Sequence, residues 1–321
     1  MPGAHAILSA SGAHRWMACP PSARLEEKLK DRLGESTSPF AAEGTKAHAL
    51  AELKLLREKG RLGDADGINE FCYTKRRETL GEIDEEMERC TDFYVDIILE
   101  KFMAARRQTP DAKLLVEQRL DFSKWVPHGF GTGDAVIVSD TALEVCDLKY
   151  GKGVRVEAEN NPQARCYGLG AYMTYGDLYD FQIVRTTIIQ PRLDHVSEET
   201  LDVEHLLHWA DTILAPAADL AWEGKGEFKS GEHCKFCMAR AICFARAQEA
   251  MKVLSQGMEK PGVIPEEEIP RILEVADAAM DWFKELKQYA LSQAIKGHRW
   301  YGFKLVRGKK PARAWKDEDA G

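Results

Sequence analysis

From about position 113 the hydrophobic pattern of this chain changes its period, and that change limits the folds open to it. Ahead of it, "SPFAAEGTKAHALAELKLLREKG" and "IDEEMERCTDFYVDIILEKFMAARRQ" space their apolar residues as amphipathic helices do, the first ending at Gly60 and the second reached after the loop "RLGDADGINEF". Three short runs follow, "KLLVEQRLDF", "GTGDAVIVSD" and "ALEVCDLKYG", with turn residues between them. "VSDTAL" is a tight connection between the last two, so the three read as an antiparallel meander. "NPQARCYGLGAYMTYGDL" returns to helix and "FQIVRTTIIQPR" to strand; helix is then expected over about 197–222 and again over about 265–296. This order predicts an α/β fold, a small mixed sheet flanked by helices. It lacks the repeated strand–helix alternation of a doubly wound dinucleotide fold. "GFGTGDA" is glycine-rich, but no helix follows it, which removes the phosphate-loop reading.

Composition narrows the class. The 321 residues are 44% hydrophobic and 30% charged, ordinary for a globular chain large enough to bury a sizeable core. No apolar run approaches the ~18–20 residues of a membrane span and no signal peptide is visible, so a cytoplasmic location and no membrane partner are expected. The net charge of −8 argues against a protein that coats nucleic acid by bulk attraction. It leaves room for a DNA enzyme with a local basic cleft.

The acid-x-lysine pair Asp147/Lys149 decides nothing alone. The chain also holds Asp111/Lys113, Glu26/Lys28, Glu52/Lys54, Glu223/Lys225 and Glu285/Lys287 at that spacing. Context separates them. On a strand, Val145, Asp147 and Lys149 share one side, and Asp134 shares a side with Val136 and Val138. If those two runs pair through the "SDTA" turn, Asp134 and Asp147 converge. Two carboxylates beside a lysine suit a Mg²⁺ or Mn²⁺ site for phosphodiester hydrolysis, because hard ions take oxygen ligands and an ammonium offsets developing charge. Upstream, Gly44, His48 and Glu52 lie on one helix with His48 and Glu52 a turn apart; downstream, Gln163 and Tyr167 are a turn apart on another. Glu117 and Glu52 are additional acids. The competing reading is a solvated surface hairpin with a ligand-free helix histidine.

The second constellation is "HCKFCMARAICFAR", which spaces Cys234, Cys237 and Cys243 as a metal-binding trio for zinc or an iron–sulfur cluster. A fourth ligand is needed. His233 is adjacent to Cys234, which makes joint ligation awkward, and Cys19 in "RWMACPPSARL" is the better candidate. Cys72, Cys90, Cys146 and Cys166 read as core thiols, with Cys146 pointing away from the acids.

The ordered series Gly44/His48, Gly133-Asp134, Asp147/Lys149 and Gln163/Tyr167 resembles the RecB-type branch of the PD-(D/E)xK nuclease superfamily over about residues 40–170, with Gly133 where the superfamily's proline stands. The resemblance implies a restriction-endonuclease-like core. It also implies a divalent ion held by His48, Asp134, Asp147 and the backbone carbonyl of Leu148, with Lys149 activating water and Gln163 and Tyr167 supporting DNA or the site's geometry. The cysteines resemble those of AddB-type helicase-nucleases and of CRISPR-adaptation nucleases. By that resemblance Cys19, Cys234, Cys237 and Cys243 hold a 4Fe–4S cluster that staples the ends of a nuclease domain over 1–250, zinc being the alternative. Residues 251–321 would form a C-terminal helix and basic hairpin, whose "VRGKKPARAWK" either contacts phosphates or is a solvated turn. The chain further resembles an uncharacterised phage-encoded family whose members look like recombination exonucleases. A single-strand-binding or annealing protein is the partner that this implies, beside DNA itself. The rival classes are a catalytically inactive DNA-binding scaffold of the same fold and a zinc-stapled nucleic-acid-binding protein.

Overall fold

Strands β1 (Lys113–Asp121), β2 (Phe130–Val138) and β3 (Ala142–Leu148) form the expected antiparallel meander. Two more, β4 (Ile183–Gln190) and β5 (His195–Asp202), extend it to a five-stranded mixed sheet in the order β1-β2-β3-β4-β5. The computed structural model describes residues 6–33, 39–256 and 266–308. The chain divides into two compact units, Met1–Met238 and Ala239–Gly321, a boundary ahead of the position 250 expected from sequence.

The first unit contains the sheet and helices α1 (Ala13–Ala18), α2 (Ser22–Leu33), α3 (Pro39–Arg61), α4 (Glu70–Glu78), α5 (Glu85–Gln108), α6 (Pro162–Tyr175), α7 (Val203–Trp209) and α8 (Ala215–Glu223). β3 and β4 are parallel, so the chain must cross over between them, and α6 is that crossover. Asn161 caps α6 by accepting from the backbone N–H groups of Gln163 and Ala164 at 3.0 and 3.2 Å, with Pro162 at its first turn. Alternation along the strands then divides the core. Val136, Val138, Leu143 and Val145 pack with Cys166 and Leu169 of α6. Ile137, Cys146, Leu148 and Ile189 pack with Leu55 of α3 and Tyr94, Ile98 and Phe102 of α5. The result is a sheet covered on both faces by helices.

Close approach of α6 to the sheet depends on glycine. A Cβ on Gly170 would stand 2.8 Å from Leu120 Cβ and 3.0 Å from its carbonyl carbon. Backbone cannot yield as a side-chain tip can, so Gly170→Ala is expected to cost about 1–3 kcal/mol by overpacking. Urea unfolding of the wild type and the variant checks it. On β2, a Cβ at Gly131 would stand 2.6 Å from Tyr167 Cε1, so that glycine gives the Tyr167 ring its place.

Two elements differ from the sequence expectation. The helix expected from about 197 begins instead as β5, which pairs antiparallel with β4 along its whole length. The glutamates of "HVSEETLD" favour helix locally, but pairing with β4 wins, and Glu199 is buried against Arg165, whose Nε donates to it at 2.9 Å. The helix expected over 83–108 forms as α5, but an additional short helix, α4, precedes it across a break at 79–84. Gly81 takes φ +70 in the break, and Asp84 restarts the helix by accepting from Met87 N–H at 2.7 Å.

The second unit pairs α9 (Phe244–Gln256) with α10 (Ile269–Ile295). Ala250, Ala279 and Trp282 form its core, and Glu285 bridges Arg240 and Arg246. The hairpin expected after α10 does not form among the described residues: 298–308 are turns and irregular chain. Lys309–Lys316 of the basic segment lie outside the described residues. Among the described residues, no helix is long and apolar enough to cross a membrane.

Candidate metal centre

His48 is held in place by its neighbours on α3. Ala47 and Leu50 are fully buried, and Glu43, five residues before His48 on α3, is tied to the β4–β5 connection by Arg192, whose Nη2 lies 2.9 Å from Glu43 Oε1 and 2.7 Å from Glu86 Oε2. Arg192 also lies over the Tyr150 ring at 4.2 Å, and its hydrogen bond to Glu86, joined by that of Lys152, holds the Glu86 carboxyl down at about 2. So fixed, His48 Nδ1 reaches Asp134 Oδ1 at 3.1 Å. Asp134 Oδ2 accepts the Leu148 backbone N–H at 2.7 Å. Both oxygens of Asp134 are therefore oriented, one by a helix and one by the neighbouring strand.

Glu117 joins this pair. The β1–β2 register runs through Val116↔Ala135 and Gln118↔Gly133, and the missing step between them is Glu117 opposite Asp134. There Glu117 takes φ +51, a strained left-handed conformation for an L-residue inside a strand. Ligand atoms of His48, Glu117 and Asp134 all lie within 4.8 Å of one another. The sequence offered Glu117 only as an extra acid. The signal for it was its position opposite Gly133-Asp134 in a meander, which becomes visible once the register is known. Glu52, the other extra acid, lines the same small pocket and is paired with Arg76 at 3.2 Å.

Asp147, Lys149, Gln163 and Tyr167 form a second, contiguous set. Lys149 Nζ donates to Gln163 Oε1 at 3.0 Å and stands 2.8 Å from Asp147 Oδ2. Gln163 Nε2 donates to Asp147 Oδ1 and to Tyr167 Oη, both at 3.3 Å. Asp147 is only 7% exposed, and its Oδ2, though close to the ammonium, has no hydrogen bond of sound geometry. Burial raises the Asp147 pKa, Lys149 opposes that, and Asp134 adds to it. At His48 burial disfavours the imidazolium, but the hydrogen bond and charge of Asp134, with Asp147 behind it, outweigh burial and raise the pKa. Clustered acids with an unfilled carboxylate position and a histidine are a donor set that fits a hard divalent cation.

Glu117 shows the mutual repulsion of the acids in that cluster. Partial burial of its carboxyl, then the charges of Asp134 and Glu52, push it from 4.5 up to about 7. The residue as a whole is open to solvent, so screening takes part of the effect. A raised folded-state value means that the stability it contributes is present below about 4.5 and lost as pH rises through about 7. Metal-free protein is expected to lose melting temperature over that window, and Glu117→Gln to reduce the loss. Thermal unfolding in EDTA at the two ends of the window measures both.

Among the described residues no two cysteines are joined by a disulfide. Cys19 is the C-cap of α1, and the turn Glu232–Phe236, which carries Cys234 and leads to Cys237, packs on α1. Cys19, Cys234 and Cys237 are buried; Cys243 is half-buried and belongs to the second unit. Cys90, Cys146 and Cys166 are core thiols as expected, but Cys72 is exposed, because it lies on the solvent side of α4.

Among solved structures, the chain is similar to one described as "Crystal structure of SSO0001", at 15% identity over 69% of this chain and 94% of that one. The TM-score is 0.25, too low for that likeness to carry an argument. A family model described as "Protein of unknown function (DUF2800)" matches residues 5–321, and the chain belongs to that family.

Proposed function

We propose that this protein is a Mg²⁺- or Mn²⁺-dependent deoxyribonuclease of restriction-endonuclease-like fold, acting as an exonuclease on DNA ends. The observation that carries the reading is the convergence of His48, Glu117 and Asp134 within 4.8 Å, next to the Asp147–Lys149–Gln163–Tyr167 network. His48, Asp134, Asp147 and the Leu148 carbonyl hold the ion in this proposal, with Glu117 as an added ligand. When bound, a divalent ion polarises a phosphoryl oxygen and lowers the pKa of water.

The chain's own residues do the rest. Lys149, steered by Gln163 and Asp147, presents an ammonium that offsets charge on the phosphate. Gln163 links that ammonium to Tyr167, so α6 sets the lysine's direction. Asp134, oriented through both oxygens, fixes the position of His48 relative to β3. DNA is the proposed partner, with a single-strand-binding or annealing protein acting downstream in recombination of phage type in the host cytoplasm.

The proposed cysteine cofactor is a 4Fe–4S cluster on Cys19, Cys234, Cys237 and Cys243, supported by their spacing and by the packing of the Cys234 turn on α1. Anaerobically purified protein should contain iron and sulfide; colourless protein with zinc alone would replace the cluster by zinc. For the nuclease, 5′- and 3′-labelled linear and circular DNA are incubated with Mg²⁺ or Mn²⁺. Loss of label from linear DNA alone is the expected result, and equal cutting of circles would make the enzyme an endonuclease.

A further inference from the structure

Tyr94 lies on α5 and is 1% exposed, among the apolar side chains of Ala51, Leu55, Val95 and Ile98. Its ring fits that core, but among the described residues its hydroxyl has no hydrogen-bond partner. A buried O–H without an acceptor is destabilising, and phenylalanine would fill the same space without that cost. Tyr94 also lines the small pocket formed with His48, Glu52, Glu117, Asp134 and Leu148. A phenol keeps its proton at neutral pH, so the group is available as a donor.

We infer that Tyr94 is a positioning residue of the metal centre, whose hydroxyl donates a hydrogen bond to an oxygen of the cation's ligand set and fixes that oxygen's orientation. This rests on the proposed metal centre and adds to it a contact from α5, an element that supplies none of the ligands. Outer contacts of this kind restrict how a carboxylate or water can turn, and losing them weakens metal affinity without removing a ligand.

The test is Mn²⁺ binding to the full chain, read as free Mn²⁺ by electron paramagnetic resonance, for wild type, Tyr94→Phe and Asp134→Asn. Thermal unfolding of each in EDTA accompanies it. Tyr94→Phe is expected to bind Mn²⁺ about tenfold more weakly, with an unfolding midpoint equal to or above that of the wild type. Affinity within about twofold of wild type would overturn the inference, as an outer-shell contact should cost more. So would a midpoint lowered by more than about 4 °C, since the hydroxyl would then be holding the fold. If Asp134→Asn binds Mn²⁺ as the wild type does, the metal centre itself is misplaced and the role of Tyr94 goes with it.

Discussion

Lys149→Ala is expected to slow DNA cleavage by about 10²–10³-fold, the cost of removing one preorganised charge-stabilising donor, while Mn²⁺ binding changes little. The lysine is held in place. Its Nζ is 3.0 Å from Gln163 Oε1 and 2.8 Å from Asp147 Oδ2, so it enters the reaction already oriented. Truncation to alanine removes a cation beside a buried carboxylate, which by itself draws a metal ion closer. It also lets burial raise the Asp147 pKa further, which opposes metal binding. These effects on affinity have opposite signs, whereas the effect on charge at the phosphate has one. Single-turnover cleavage at saturating Mn²⁺, with binding measured separately, distinguishes them. A variant that cuts as fast as wild type would remove Lys149 from the chemistry. A variant that loses both binding and cleavage would make it a structural partner of Asp147.

Asp134→Asn carries the second large effect. It should weaken Mn²⁺ binding by at least about 100-fold, beyond the 10–100-fold typical of outer-shell changes. Asp134 accepts from His48 Nδ1–H through Oδ1 and from Leu148 N–H through Oδ2. An asparagine has only one acceptor oxygen, so one of these contacts faces an NH₂ donor, and the charge that would meet a cation is gone. The side-chain shape is kept, so the fold should survive. Calorimetric titration with Mn²⁺ and far-ultraviolet circular dichroism together check this. Retained binding would shift the centre of the site away from β2.

How much of this was readable beforehand depends on whether local sequence or distant pairing sets each feature. The β1–β3 meander was legible because its apolar alternation and its turns are local, and the register then brings Asp134 and Asp147 onto adjacent strands. α6 was legible through the run "NPQARCYGLGAYMTYGDL" and the spacing of Gln163 and Tyr167. β5 was not, because "SEETLD" looks helical until β4 offers it a ladder and Arg165 offers Glu199 a partner. Glu117 was underweighted because its importance lies in a positive φ and a skipped ladder step, neither of which the letters "LLVEQRL" reveal. Tyr94 gave no signal either. On α5 it occupies a regular apolar position, and only the absence of a partner for its hydroxyl distinguishes it.

The central claim is that His48, Asp134, Asp147 and Lys149 form one metal-dependent phosphodiesterase site. The most direct measurement is single-turnover cleavage of an end-labelled linear duplex by wild type and Asp134→Asn from parallel preparations, with Mn²⁺ and again with EDTA. The account predicts that wild type releases label with Mn²⁺ only, and that Asp134→Asn releases none under either condition. Cleavage by Asp134→Asn at the wild-type rate, or no cleavage by folded, Mn²⁺-bound wild type on any DNA end, would contradict it.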